Sequence, residues 1–154
     1  MTGPATAAGV LGLYIAGQRV PVSVASADTA TVIAAAIAAA INAQTALPVT
    51  AAAAIGVVTV TCRWKGETGN AIDLRLNYYQ GERTPAGVGV TIAAMTGGTV
   101  NPLVNDAIMA IGATQYDTIV MPWLDATNLT ALETELSNRW GPMVQKEGHA
   151  FVSR

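Results

Sequence analysis

The chain has 154 residues, a formal net charge of −2, 51% hydrophobic and 12% charged residues. That is about half the charged share of an ordinary soluble domain, and it excludes intrinsic disorder, which needs few apolar residues and much charge. The eight Lys and Arg lie scattered from Arg19 to Arg154 without a cluster, so a phosphate backbone finds nothing to grip and nucleic acid is not expected as a partner.

Up to Cys62 the only charged side chains are Arg19 and Asp28. Charge keeps identical molecules apart, so this stretch reads as one that packs closely against other protein. Leu13-Tyr14-Ile15 and Val20 to Val24 alternate around Gly17-Gln18, which predicts a hairpin whose second strand is an edge or is bulged at Pro21. Asp28 is then expected to cap a helix over 29–43, whose Ile33, Ile37 and Ile41 share one face against a sheet. The VIAAAIAAAI run at 32–41 is about half the length of a membrane span and lies far from the N-terminus, so neither membrane insertion nor a signal peptide is expected. A second hairpin follows, turning at Ile55-Gly56 into the strand 57–62. Beyond the polar loop 65–70, Ile72, Leu74, Leu76 and Tyr78 are expected on one strand face, with Asp73, Arg75 and Asn77 on a wet one. A Gly/Pro-rich loop leads to a further strand through Val88, Val90 and Ile92.

The rhythm changes at Gly97-Gly98-Thr99 to helix, strand, helix, strand. Asn101 and Pro102 are expected to open a helix carrying Leu103, Ala107 and Ile111 on one face and closed by Gly112. The strand 116–121 reads as buried on both sides, as in parallel sheets. A helix over 127–140 should bury Leu129, Leu132, Leu136 and Trp140, and a last strand begins near Ala150. Together these give an α+β fold: an N-terminal mixed or antiparallel sheet with one packed helix at 11–99, then a partial α/β region at 100–154. Two short strands do not complete a doubly wound sheet, so the chain reads as a fragment.

Few residues suggest chemistry, and no catalytic, cofactor-binding or metal-binding residue is assigned. His149 is the single histidine and reads as a packing or hydrogen-bonding residue, not a general base; with one cysteine, Cys62, taken as core, zinc lacks its usual ligands. Asp125 lies beyond the carboxyl end of the 116–121 strand, where open α/β sheets bind ligands, and is the best single candidate for a site. Its plainer role is to start a turn or cap the helix near Thr127. Asp117 flanks the same strand, and Ser137 and Ser153 have no neighbouring base in sequence. Gly97-Gly98-Thr99 lacks the spacing of a phosphate-binding loop, and Gly66-Glu67-Thr68-Gly69 joins strands and reads as a turn.

GLYIAGQRV at 12–20, KGETGNAIDLR at 65–75, YDTIV at 116–120, RWGPM at 139–143 and GHAF at 148–151 occur in an order that resembles the tail sheath protein of contractile, Mu-like bacteriophages. The resemblance implies a structural virion protein, assembled in the bacterial host cytoplasm as hexameric rings around a tail tube protein, which contracts during host entry. It implies no protease activity, although the family's core domain is described as subtilisin-like and would account for 100–154. Family subunits are longer, so this chain, a protease-resistant type of fragment, is expected to be monomeric or weakly associating. The alternative is a small nucleotide-binding or enzymatic α/β module with its site near Asp125. A host-binding module is a third reading, disfavoured by sparse aromatic residues.

Overall fold

The computed structural model describes residues 1–152, so Ser153 lies outside the described residues. The chain is α+β and divides into two compact units. Unit 1 comprises Met1–Trp64 and Gly69–Gly97; unit 2 comprises Lys65–Thr68 and the chain from Gly98 onward.

Unit 1 opens with a hairpin of β1 (Gly9–Ile15) and β2 (Gln18–Val24). Its two turn residues, Ala16 and Gly17, both have positive φ, at 49° and 78°. That matches the right-handed twist of the flanking strands and fixes the register, pairing Ile15 with Gln18 and Gly12 with Pro21. Pro21 is tolerated because β2 is an edge in the order β2-β1-β5, where β5 is Leu74–Leu76. Leu11, Leu13 and Ile15 alternate with Val20, Val22 and Val24 to line the inner face.

Helix α1 (Ala30–Ala43) covers that core with Ile33, Ile37 and Ile41. Its cap is Thr29, whose hydroxyl accepts from the Val32 amide, and not Asp28, whose carboxylate instead accepts from the Ala25 amide at 2.7 Å. Asp28 thus closes the turn before the helix, an alternative use of the same short acceptor. Near the far end, Asn42 donates to the Ala51 carbonyl at 2.8 Å and accepts from the Ala51 amide at 2.9 Å. An amide side chain thereby takes the place of a strand neighbour on β3 (Val49–Ala54).

β3 turns back into β4 (Val57–Cys62) through Ile55 and Gly56, again with φ of 44° and 74°. At Gly56 an added Cβ would stand 3.2 Å from the Ala30 methyl, in a backbone conformation that L side chains resist. Gly56→Ala is expected to lower unit 1 stability by about 1–2 kcal/mol. Urea unfolding followed by Trp64 fluorescence reads this directly, and an unchanged midpoint would count against the turn assignment.

Two expectations fail in the second half of unit 1. Tyr78 does not continue the apolar face of β5, because Asn77 adopts φ of 50° and ends the alternation. Its amide donates to the Gly12 carbonyl at 2.7 Å while its side-chain oxygen accepts from the Gly12 amide at 3.3 Å, so the chain turns outward there. Nor do Val88, Val90 and Ile92 form a strand; Gly89 makes only an isolated bridge with Thr2. The preceding loop is held to the N-terminal segment, with the Thr6 amide donating to the Ala86 carbonyl at 2.7 Å and Gly87, at φ of 84°, leaving no room for a Cβ against Pro4 and Thr6. The sheets of unit 1 are antiparallel throughout, a three-stranded sheet and a separate hairpin.

In unit 2, β6 (Thr118–Met121) and β7 (His149–Val152) pair in parallel, connected through α3 (Ala126–Trp140). One sheet face is open: the directly opposed Val120 and Phe151 are 76% and 61% exposed, not buried on both sides as expected. Helix α2 (Asn105–Ile111) starts four residues later than Asn101, has no side-chain cap, and leaves Leu103 and Ala107 exposed. Along α3 the fully buried positions are Asn128, Leu132 and Arg139, while Trp140 is 65% exposed. Leu132 is buried as expected and Leu129 and Leu136 are half-buried, but at the end of the helix Arg139, with three acceptors, is buried in place of Trp140.

Candidate functional site

Asp125 caps α3, and both carboxylate oxygens are engaged. Oδ1 accepts from the Asn128 amide at 3.0 Å; Oδ2 accepts from the Asn128 side chain at 2.9 Å and from the Asn101 side chain at 3.0 Å. Asn128, 1% exposed, also donates to the Pro102 carbonyl and accepts from the Val104 amide. Asn101 accepts from the Glu67 amide at 2.8 Å, so the expected helix opener instead holds the glycine loop. That loop needs Gly66, because the Asn101 oxygen lies 2.6 Å from where its Cβ would stand. The Asn128 amide, then the Asn128 and Asn101 side chains, hold the Asp125 carboxyl below its ordinary value.

The sign of the pH dependence follows. A carboxyl depressed in the folded state contributes stability that is present above its unfolded value, about 4, and is lost as pH falls through the folded value. Unit 2 is therefore expected to lose stability between about pH 5 and about pH 2, and Asp125→Asn to lose less over that range. Urea midpoints at the two ends measure it; equal slopes for both proteins would remove the cap from the account.

The remaining candidates are dispersed. His149 is exposed at the start of β7, where its amide donates to the Asp117 carbonyl at 2.9 Å. Ser137 is exposed on α3. Cys62 is half-buried on β4, and its Sγ lies 3.1 Å from where a Cβ on Gly69 would stand. Gly97-Gly98-Thr99 does not open α2, which begins at Asn105. Among the described residues no three of His, Cys, Asp and Glu converge as metal ligands, and no helix is long and apolar enough to cross a membrane.

Sequence reasoning missed the most organised polar group in unit 1. Tyr14 on β1 faces Arg19 on β2 and Arg75 on β5, across the outer side of the three-stranded sheet. Gly12 on the same side leaves a notch: the Glu82 carboxylate lies 2.8 Å from where its Cβ would be. Glu82 accepts from the Tyr14 hydroxyl at 2.8 Å, from Arg19 Nε at 2.9 Å and from the Tyr79 amide at 3.3 Å. Burial pushes Glu82 up, but Tyr14, the Tyr79 amide and Arg19 together outweigh it and hold the carboxyl low. Burial and then Glu82 push the Tyr14 hydroxyl up. Tyr14, Tyr78 and Tyr79 stack mutually with centroids 5.2–5.9 Å apart, and the Arg75 guanidinium sits 4.8 Å over Tyr78. No local period connects Tyr14 to residues 78–82; the positive φ of Asn77 was the missing link. A largely apolar cleft of about 530 Å³ lies against Leu13, Ile37, Val58, Leu74 and Ile92, with Tyr14 and Arg75 also in its lining.

No family model matches the chain. All 154 residues align at 44% identity with the Mu-like prophage FluMu tail sheath protein of Haemophilus influenzae. The chain spans about a third, 32%, of that protein's length.

Proposed function

We propose, on that similarity, that this chain is part of a structural subunit of a contractile phage tail sheath. The observation that carries the reading is an alignment at 44% identity that covers the whole chain. An alignment confined to one motif would speak for a shared element; an alignment that runs through both units speaks for a shared protein. In this reading 11–99 form an α+β domain and 100–154 form part of the sheath core, subtilisin-like in fold. Copies of the complete subunit assemble in the host cytoplasm as hexameric rings around a tail tube and remain in the virion tail. The work is mechanical, drawn from the difference between subunit contacts in extended and contracted states. No catalytic step, cofactor or nucleic-acid contact enters it.

The state of Asp125 supports this over an α/β enzyme or nucleotide site. A carboxylate whose oxygens already take three hydrogen bonds from Asn128 and Asn101 acts as a helix cap that ties Asn101 to α3 within its own unit. The open β6–β7 face, with Val120 and Phe151, supports a region completed by further polypeptide. Immunogold labelling with antibodies raised against the chain tests the reading: decoration along contractile tails is expected, and tails left bare while other structures are decorated would overturn it.

A further inference from the structure

We infer that the tyrosine–arginine patch on the outer face of β1, β2 and β5 docks on the acidic surface of unit 2 in a second copy of this chain. The patch is built for contact. Tyr14 is 5% exposed and anchored by Glu82, while Tyr78 and Tyr79, packed edge-on against it, are 55% and 62% exposed. Rigid tyrosines with a neighbouring arginine give a large amphipathic surface with little side-chain entropy left to lose, which is the composition of interface hot spots.

Charge identifies the occupant. Unit 1 holds four arginines against three carboxylates; Arg19 and Arg75 lie in the patch, and Arg83 directly follows its Glu82 in the chain. Arg19 and Arg75 are ion-paired with Glu82 and Asp73, but Arg83 is exposed and makes no ion pair among the described residues. Unit 2 has the opposite balance, with seven carboxylates against three cations among the described residues. Of these, Asp117 and Glu147 are exposed, outside any ion pair among the described residues, and lie toward the same, amino-terminal end of the parallel β6–β7 pair. An aromatic patch with an unpaired arginine on one unit and an acidic surface on the other complement each other in charge, which steers and orients a contact between copies. The contact deepens the sheath reading, which supplies only the expectation that copies meet.

Sedimentation of the 154-residue chain over a wide concentration range tests it. Weak, salt-sensitive association is expected, with Tyr79→Ala raising the dissociation constant at least about tenfold. Arg83→Glu and Glu147→Lys should each weaken self-association, and mixing these two variants should restore it, because each supplies the face that the other lacks. Circular dichroism confirms that each variant keeps its fold; both altered side chains are exposed, as is Tyr79. A chain that stays monomeric throughout, association indifferent to all three substitutions, or a mixture that does not recover, overturns the contact. So would binding of soluble oligosaccharides, such as chitohexaose or lipopolysaccharide core, that Tyr79→Ala abolishes without touching self-association. Immunogold decides the sheath reading and sedimentation decides this contact, so either can fail alone.

Discussion

Replacing Arg139 by alanine is expected to destabilise unit 2 by about 3–5 kcal/mol, the range for removing one partner of a buried charged network. The guanidinium is 7% exposed and spends its fork on three acceptors. Nε donates to Glu135 at 2.8 Å, while Nη1 and Nη2 donate to the Thr114 and Gly112 carbonyls, each at 2.7 Å. Gly112 is the C-cap of α2 and Thr114 lies in the turn beyond it, so one side chain on α3 ties down the exit of another helix. The Lys146 ammonium holds the Ala113 carbonyl between them. Alanine would take from Glu135 and both carbonyls the partner that a part-buried guanidinium gives them, and would leave a gap where its stem was buried. Arg139→Lys tests the geometry apart from the charge: a single ammonium cannot span all three acceptors, so it should recover less than half of the loss. Residue-resolved hydrogen exchange on β6, β7 and α3 under increasing urea reads the effect. A loss below about 1 kcal/mol would mean that the network is replaceable by solvent.

Ile33→Ala should cost unit 1 about 2–5 kcal/mol, while Val32→Ala, one residue earlier, should change stability by less than about 0.5 kcal/mol. Ile33 is 1% exposed and packs in the cluster with Leu11, Val22 and Val49; Val32, about 100° around α1 from it, is 51% exposed. Removing three carbons from Ile33 loses their transfer energy and leaves a void that a helix clamped at Asn42 cannot close. At Val32 the gain in helix propensity offsets what little contact is lost. Trp64 fluorescence through urea unfolding separates the two, and equal effects would mean that α1 does not present the face described.

Much of unit 1 was legible because its signals are local. Both hairpins announced themselves by glycine at a two-residue turn between alternating strands, and α1 by isoleucines four apart. The shortfall came from contacts that cross the chain. Asp28 and Thr29 are adjacent acceptors, and which of them caps α1 depends on the turn that Asp28 closes. In α3, stripes through Leu129 and Trp140 or through Asn128 and Arg139 differ by one position, and only the acceptors beyond α2 favour the second. Asn77 reads as one more polar strand residue until its pairing with Gly12 is known. For Asp125 the cap reading follows from its place before α3, but Asn101 and Asn128, which complete the cluster, carry no sequence mark.

Most pairings in unit 1 join elements adjacent in the chain: β1 with β2, α1 with β3, β3 with β4. The exception of most weight is β5, which pairs Leu74 with Ile15 across the whole helix and second hairpin. Local pairings close fast, whereas long-range ones wait for the intervening chain. During synthesis at about 5–20 residues per second, Leu74 is made on the order of several seconds after Ile15. Nascent chains stalled short of Leu74 are accordingly expected to protect the β1–β2 hairpin from protease while the outer edge of β1 is still unpaired. Until β5 arrives, that edge is the part of the newborn protein most open to pairing with the wrong chain.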